Sequence, residues 1–262
     1  MTVILESRKV CKFFSGLKAV NEVDMQVGEG EIFGIIGPNG AGKTTFFNLC
    51  AGTHQVTSGE IHYAGRNITN TPPERVARLG IARTFQNIQL FKSMSVLENV
   101  VVGFHIHTRS NMWSALLRTK TYRQEEEMIR EKGEQLLRKL ELPEYRDILA
   151  KNLPYGIQRK VEIARALATD PKVLLLDEPA AGMNPNETQQ LLEFIKRLNA
   201  EGYTVVVIEH DMRFIMNVCD RMIVLDYGRK ICEGTPEVVR SSPEVERAYF
   251  GKGIAAKQGQ IG

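Results

Sequence analysis

Apolar and polar residues alternate through two stretches near the N-terminus, TVILESRKVCKFF (2–14) and AVNEVDMQV (19–27). That spacing predicts half-buried antiparallel strands. Three later stretches differ. EIFGIIG (31–37), KVLLLDE (172–178) and TVVVIEH (204–210) are nearly continuous apolar runs, as parallel strands covered on both faces require. Helical sequence separates them, which predicts βαβ units with right-handed crossovers and an α/β fold.

Between the first and second of these runs lies a long, mostly helical stretch, about residues 95–169. Ser95 and Glu98 have capping-box spacing at the head of SVLENVVVGF, and Thr71 and Glu74 in TPPE repeat it with prolines in the first turn. In YRQEEEMIREKGEQLLRKLEL, Ile129, Leu136, Leu137 and Leu140 fall on one helical face. The pattern predicts a helical subdomain inserted in an α/β core. The closing GIAAKQGQIG is small and polar and is expected to lack fixed structure.

Composition narrows the function class. A chain of 262 residues can bury a sizeable core as one domain with a subdomain. Its 43% hydrophobic and 25% charged residues are ordinary for a globular protein, and a net charge of +3 gives no reason to expect a nucleic-acid partner. Cys11, Cys50, Cys219 and Cys232 form no CxxC pair, so neither a zinc site nor a disulfide framework is expected, and a reduced compartment fits. No uncharged apolar run approaches the ~20 residues that span a bilayer. MTVILESRKV has no long apolar core before its charges, so no secretory leader is expected. A membrane would be reached through a partner.

The chemistry begins at GPNGAGKTT, Gly37, Pro38, Asn39, Gly40, Ala41, Gly42, Lys43, Thr44 and Thr45. It matches G-x-x-x-x-G-K-[ST] and lies between an apolar run and a helical one, where the mechanism needs it. Glycines let successive N–H groups turn toward phosphates, Lys43 reaches the β/γ oxygens, Thr44 offers a hydroxyl to Mg²⁺, and the helix N-terminus favours negative charge. By chance the pattern would arise in about one chain in a hundred of this length. KVLLLDEP then delivers Asp177 and Glu178 at the C-terminal end of a buried strand, where α/β ligands bind. Asp177 is placed to hold Mg²⁺ and Glu178 to polarise an attacking water. A lone Asp-Glu is more often a solvated turn; behind four apolar residues in a chain with a P-loop, the functional reading prevails.

With RTFQ between these motifs and IEHD after them, the chain resembles the ATP-binding cassette (ABC) ATPases over essentially its whole length. The resemblance implies a P-loop NTPase core with an antiparallel β part over 1–86 and 170–252, a helical subdomain inserted over about 87–169, and a loose tail over 253–262. It implies that Gln86 contacts Mg²⁺ and the subdomain facing the membrane, that His210 contacts the γ-phosphate, and that Phe14, with Val20 beside it, stacks on adenine. His54, His62, His105 and His107 have no such frame. The HIH pair at 105–107 is expected to turn its rings apart rather than bind metal.

LPYGIQRKVEIARAL (153–167) aligns without gaps with the family signature LSGGQ and the helix that follows it. Leu153 and Gly156 are kept. Pro154, Tyr155 and Ile157 replace the serine, a glycine and the glutamine, so the hydroxyl that contacts γ-phosphate across a dimer is missing. Asn184 in AAGMNP stands where the family usually has aspartate.

ARTFQNIQLFKSMSVLENVVVG, the insert WSALLRTKTYRQEEE, the YG-type signature and the ending RAYFGKG narrow the resemblance to the LivG-type ATPases of branched-chain amino-acid importers. That implies ATP hydrolysis with Mg²⁺ at the cytoplasmic face of the membrane, membrane-spanning permease subunits, and a substrate-binding protein engaged indirectly. It also implies a second, non-identical cassette (or a second copy), with ATP between the P-loop of one and the signature of the other. Two other uses of the cassette stay open: a lipid or lipopolysaccharide exporter, whose cassettes share EIARAL, and a soluble cassette acting on nucleic acid or ribosomes. The second usually has two cassettes or a long coiled coil, which this chain lacks.

Overall fold

The structure is a computed structural model and describes residues 2–108 and 119–250. The WSALLR portion of the insert and the 253–262 tail, for which loss of fixed structure is expected, lie outside the described residues.

The two alternating stretches form β1 (Val3–Phe14) and β2 (Leu17–Gly28), paired antiparallel. With β4 (Ser58–Tyr63) and β5 (Arg66–Asn67) they make a four-stranded sheet in the order β2-β1-β4-β5. The three apolar runs become β3 (Ile32–Ile36), β7 (Val173–Asp177) and β8 (Thr204–Ile208), every residue of them buried. They sit centrally in a six-stranded sheet that also holds β6 (Ile81–Arg83), β9 (Arg221–Asp226) and β10 (Arg229–Gly234), in the order β10-β9-β3-β8-β7-β6. All neighbours pair parallel except β9–β10. Covering helices on both faces explain why these strands read as unbroken apolar runs.

Helix α1 (Lys43–Cys50) lies in a core shared by the two sheets, with Phe46 and Phe47 fully buried. The opposite face of the large sheet is covered by helices. Between β6 and β7 come α3 (Val96–Phe104), α4 (Lys120–Lys139) and α5 (Tyr155–Leu167), preceded by the short α2 (Pro73–Leu79) ahead of β6. Helices α6 (Pro185–Ala200) and α7 (Met212–Val218) flank β8, and α8 (Pro236–Arg240) and α9 (Pro243–Phe250) follow β10. On α4 and its C-cap, Ile129, Leu137 and Leu140 are buried and Leu136 packs half-buried against the same core.

Ser95 caps α3 in a full capping box: its Oγ accepts from the Glu98 amide at 3.2 Å, and Glu98 Oε2 accepts from the Ser95 amide at 2.7 Å. The Thr71–Glu74 box does not form. Pro72 is the N-cap, extended at ψ 150° as a residue before proline must be, so α2 starts at Pro73 and the Thr71 hydroxyl falls one residue too early. His105 and His107 turn to different partners, Glu126 Oε1 at 3.0 Å and the Thr169 carbonyl at 2.9 Å.

Candidate active site

Strand β3 ends at Ile36 and the chain turns through Gly37–Gly42 into α1. Two glycines are obligatory for steric reasons. Gly37 has φ +150° and a Cβ there would lie 2.1 Å from the Leu225 carbonyl oxygen; Gly42 has φ +97° and would meet the Ala19 carbonyl at 2.2 Å. Gly42 is also the N-cap of α1, without a side chain to occupy the helix's first amides, so these donors face outward for an anion. The Lys43 ammonium, nearly buried, donates to the carbonyls of Gly37 at 2.7 Å and Pro38 at 3.1 Å. Burial lowers its pKa, and the carboxylates of Glu178 and Glu209 oppose that shift.

A cleft of about 490 Å³ opens over this loop. Asn39–Thr45 form its floor, Leu17, Lys18 and Ala19 one wall, and Glu178 and Tyr227 its other edges. Phe14 is absent from that lining. It sits exposed at the end of β1, edge-on to His54 at 5.8 Å and under Lys12 at 4.8 Å. Val20 points wholly into the core between the sheets. Leu17 (68%) and Tyr227 (72%) also stand exposed beside the P-loop, and sequence reasoning did not single them out.

Strand β7 carries Asp177 into the protein and ends by turning Glu178 out. Glu178 has φ +45°, a strained backbone for a non-glycine residue, and its amide donates to the Ile208 carbonyl at 2.9 Å. Its Oε2 accepts from Gln86 Nε2 at 2.9 Å and lies 3.5 Å from His210 Nδ1. Three residues from separate parts of the chain, 86, 178 and 210, therefore meet at the edge of the P-loop cleft. Asp177 is 2% exposed and bonds Arg83 Nη2 at 2.8 Å through Oδ2. Burial raises its pKa and the Arg83 guanidinium pulls it back. Arg83 also donates to Asn48 and lies over the Phe47 and Phe85 rings.

Three more buried charges support this cluster. Glu209 accepts from the amides of Ala180 at 2.8 Å and His210 at 3.1 Å, tying the turn after Glu178 to the segment carrying His210. Burial pushes its pKa up and those backbone bonds pull it down. Arg159 and Glu162 on α5 form a fully buried ion pair at 2.7 Å.

The signature segment opens α5. Leu153 is buried, Pro154 is the N-cap, and Tyr155 lies half-exposed with its ring 3.8 Å from where a Cβ at Gly182 would stand. Ile157 packs half-buried on the core. Gly156 faces the Glu187 carboxylate, 3.3 Å from an ideal Cβ. Asn184 caps α6 in a capping box with Glu187, accepting from the amides of Asn186 and Glu187 at 3.0 Å each.

A family model described as ABC transporter matches residues 20–181. The chain belongs to the ABC transporter family. It is 43% identical over 250 residues to the high-affinity branched-chain amino acid transport ATP-binding protein BraF of Pseudomonas aeruginosa, covering 95% of this chain and 98% of the relative. LivG of Salmonella typhimurium, described in the same words, is 43% identical over 240 residues, with 91% and 94% covered. Among solved structures, the ADP conformation of an ATP-binding cassette of an ABC transporter superposes with a TM-score of 0.84 at 36% identity, covering 96% of this chain and all of that one. A dimeric cassette in a post-hydrolysis state bound to ADP and Pi gives 0.73 at 26% identity, with 89% and 99% covered. The fold is that of an ABC ATPase cassette, and the chain is an ATP-binding, ATP-hydrolysing subunit of a transport system. No helix among the described residues is long and apolar enough to cross a membrane.

Proposed function

We propose that this cassette hydrolyses MgATP in the cleft between the P-loop and Glu178, and that it drives import of branched-chain amino acids through a membrane permease. The observation carrying the chemistry is the meeting of Gln86, Glu178 and His210 beside Lys43 and the outward-facing amides of α1. Lys43 and those amides take the phosphate charge, Glu178 orients the attacking water, and His210 stands beside it. Thr44, Gln86 and Asp177 offer only oxygen donors, the set Mg²⁺ prefers. Gln86 commits its N–H to Glu178 and Asp177 its Oδ2 to Arg83, which leaves each an oxygen to present. Bound Mg²⁺ would neutralise charge developing on the phosphate oxygens. The substrate class rests on the names of relatives 43% identical over most of both chains.

In cells stripped of other uptake systems for leucine, isoleucine and valine, deletion of this cassette should abolish ATP-driven uptake of all three. Purification in mild detergent should bring membrane-spanning subunits and a second cassette. Undiminished uptake, or capture of a lipid-exporting permease, would refute the import reading.

Permease docking has its own test. Phe85 and Phe91 stand about half-exposed at either end of the loop that carries Gln86, at 46% and 48%. Buried Asn99 fixes that loop, accepting from the Phe91 amide at 2.9 Å and donating to its carbonyl at 3.1 Å. Exposed aromatics on a pinned loop beside a switch residue suit a partner's apolar surface. Phe91→Asp should release the cassette from membranes with its melting temperature unchanged within about 2 °C, a surface substitution being worth about 0.5 kcal/mol. Retained membrane association and coupled transport would refute docking there.

A further inference from the structure

Arg159 heads the fully buried side chains by volume among the described residues, with no solvent exposure. A guanidinium is seldom left in such a place without a full set of partners. One partner is Glu162, a turn along α5. The others lie off the helix: Arg159 Nη1 donates to the Phe85 carbonyl at 2.7 Å and Nη2 to the Gln86 carbonyl at 2.8 Å. Glu162 reaches the same loop, its Oε1 accepting from the Gln89 amide at 3.1 Å. Arg159 Nε has no partner, so the fork is aimed at the loop at the expense of one of its own donors. A planar, two-pronged donor suits this task and a lysine does not.

The loop held this way is the one whose Gln86 side chain bonds Glu178. The helix doing the holding is the one whose first residues are the signature segment. The N-terminal half of one helix therefore bears on two different nucleotide sites: Pro154–Ile157 on the partner cassette's, and Arg159, four residues into the helix, through the loop on this chain's own at Gln86. We propose that Arg159, backed by Glu162, is a positioning residue that couples the signature end of α5 to Gln86. Engagement of the signature by the partner's nucleotide then fixes Gln86 against Glu178 and sets the hydrolysis rate in this chain's own site. The proposal rests on the reading of Gln86 and Glu178 as active-site residues.

The test uses the assembled transporter with Arg159→Met and Glu162→Leu together, because removing both charges leaves neither unpaired in the core. The melting temperature should fall by several degrees, because the Phe85 and Gln86 carbonyls and the Gln89 amide lose their partners. The KM for ATP should stay as in the unaltered complex, while kcat falls about tenfold, within the range of couplings between contacting residues. In a Gln86→Ala background the same pair should have no further effect. Arg159→Lys keeps the charge but not the fork, and should recover part of the lost rate; it decides the matter if the double variant does not fold. An unchanged kcat, or the full loss repeated on top of Gln86→Ala, overturns the coupling. If Gln86→Ala itself leaves hydrolysis untouched, the reading of the site falls and takes the coupling with it.

Discussion

Glu178→Gln should hold MgATP as tightly as the unaltered cassette while hydrolysing it about 10²–10⁴-fold more slowly, the range general-base catalysis contributes. The substitution keeps the side chain's size. Rotated by half a turn, the new amide offers its oxygen to Gln86 Nε2, which now donates to Glu178 Oε2 at 2.9 Å, so the local structure survives. What disappears is the carboxylate proposed above to take a proton from water. Equilibrium nucleotide binding and single-turnover hydrolysis in the complete transporter separate the two effects. Equal turnover would mean another group activates water. The loss should exceed that from any change at Pro154, because Pro154 and Tyr155 already lack the hydroxyl and one small residue of the usual signature. Gly156 at the start of α5 also faces the Glu187 carboxylate, which opposes a phosphate there.

Gln86 and His210 were singled out through the family resemblance, and the structure places both beside Glu178. Glu178 itself was legible from the residues, because it ends a buried apolar strand. The antiparallel pair β1–β2 and the capping box at Ser95 were readable for the same local reason.

The residues behind the cluster were not legible. Arg83, Arg159, Glu162 and Glu209 sit in IARTFQ, QRKVEIARAL and VIEHD, where charged residues at these spacings read as solvated surface. Their burial is decided by contacts across long stretches of sequence: Arg83 with Asp177, Arg159 with the loop at 85–86, Glu209 with Ala180. The cleft walls were hidden differently. Val20 lies three residues before Val23, out of phase with Val23, Met25 and Val27, and goes inward because the register shifts between them, with Glu22 at φ +53°. Leu17 opens β2 and Tyr227 lies in a turn, with no pattern to mark either. Thr71 was misread because two prolines shift the helix start by a residue that spacing alone does not register.

The P-loop lysine should give the other large effect, and in two measurements of opposite sign. Lys43→Met is expected to weaken MgATP binding by about 10²-fold or more, since two charge-assisted hydrogen bonds at ~1.5–3 kcal/mol each are lost. Hydrolysis should fall with it. The unliganded fold should not suffer. Burial lowers the Lys43 pKa, so the folded chain holds this proton less tightly than the unfolded one. At any pH below the folded pKa the charged ammonium therefore counts against stability, and a methionine of similar length removes that cost. Nucleotide at 100 times its Kd stabilises the unaltered cassette by about 2.7 kcal/mol, or roughly 5–10 °C for a domain of this size. The same concentration should move the variant by about 1 °C, from a starting melting temperature no lower than that of the unaltered protein. A variant that melts several degrees lower without nucleotide would make Lys43 a structural bond to Gly37 and Pro38. One that keeps the full nucleotide shift would place the phosphates elsewhere.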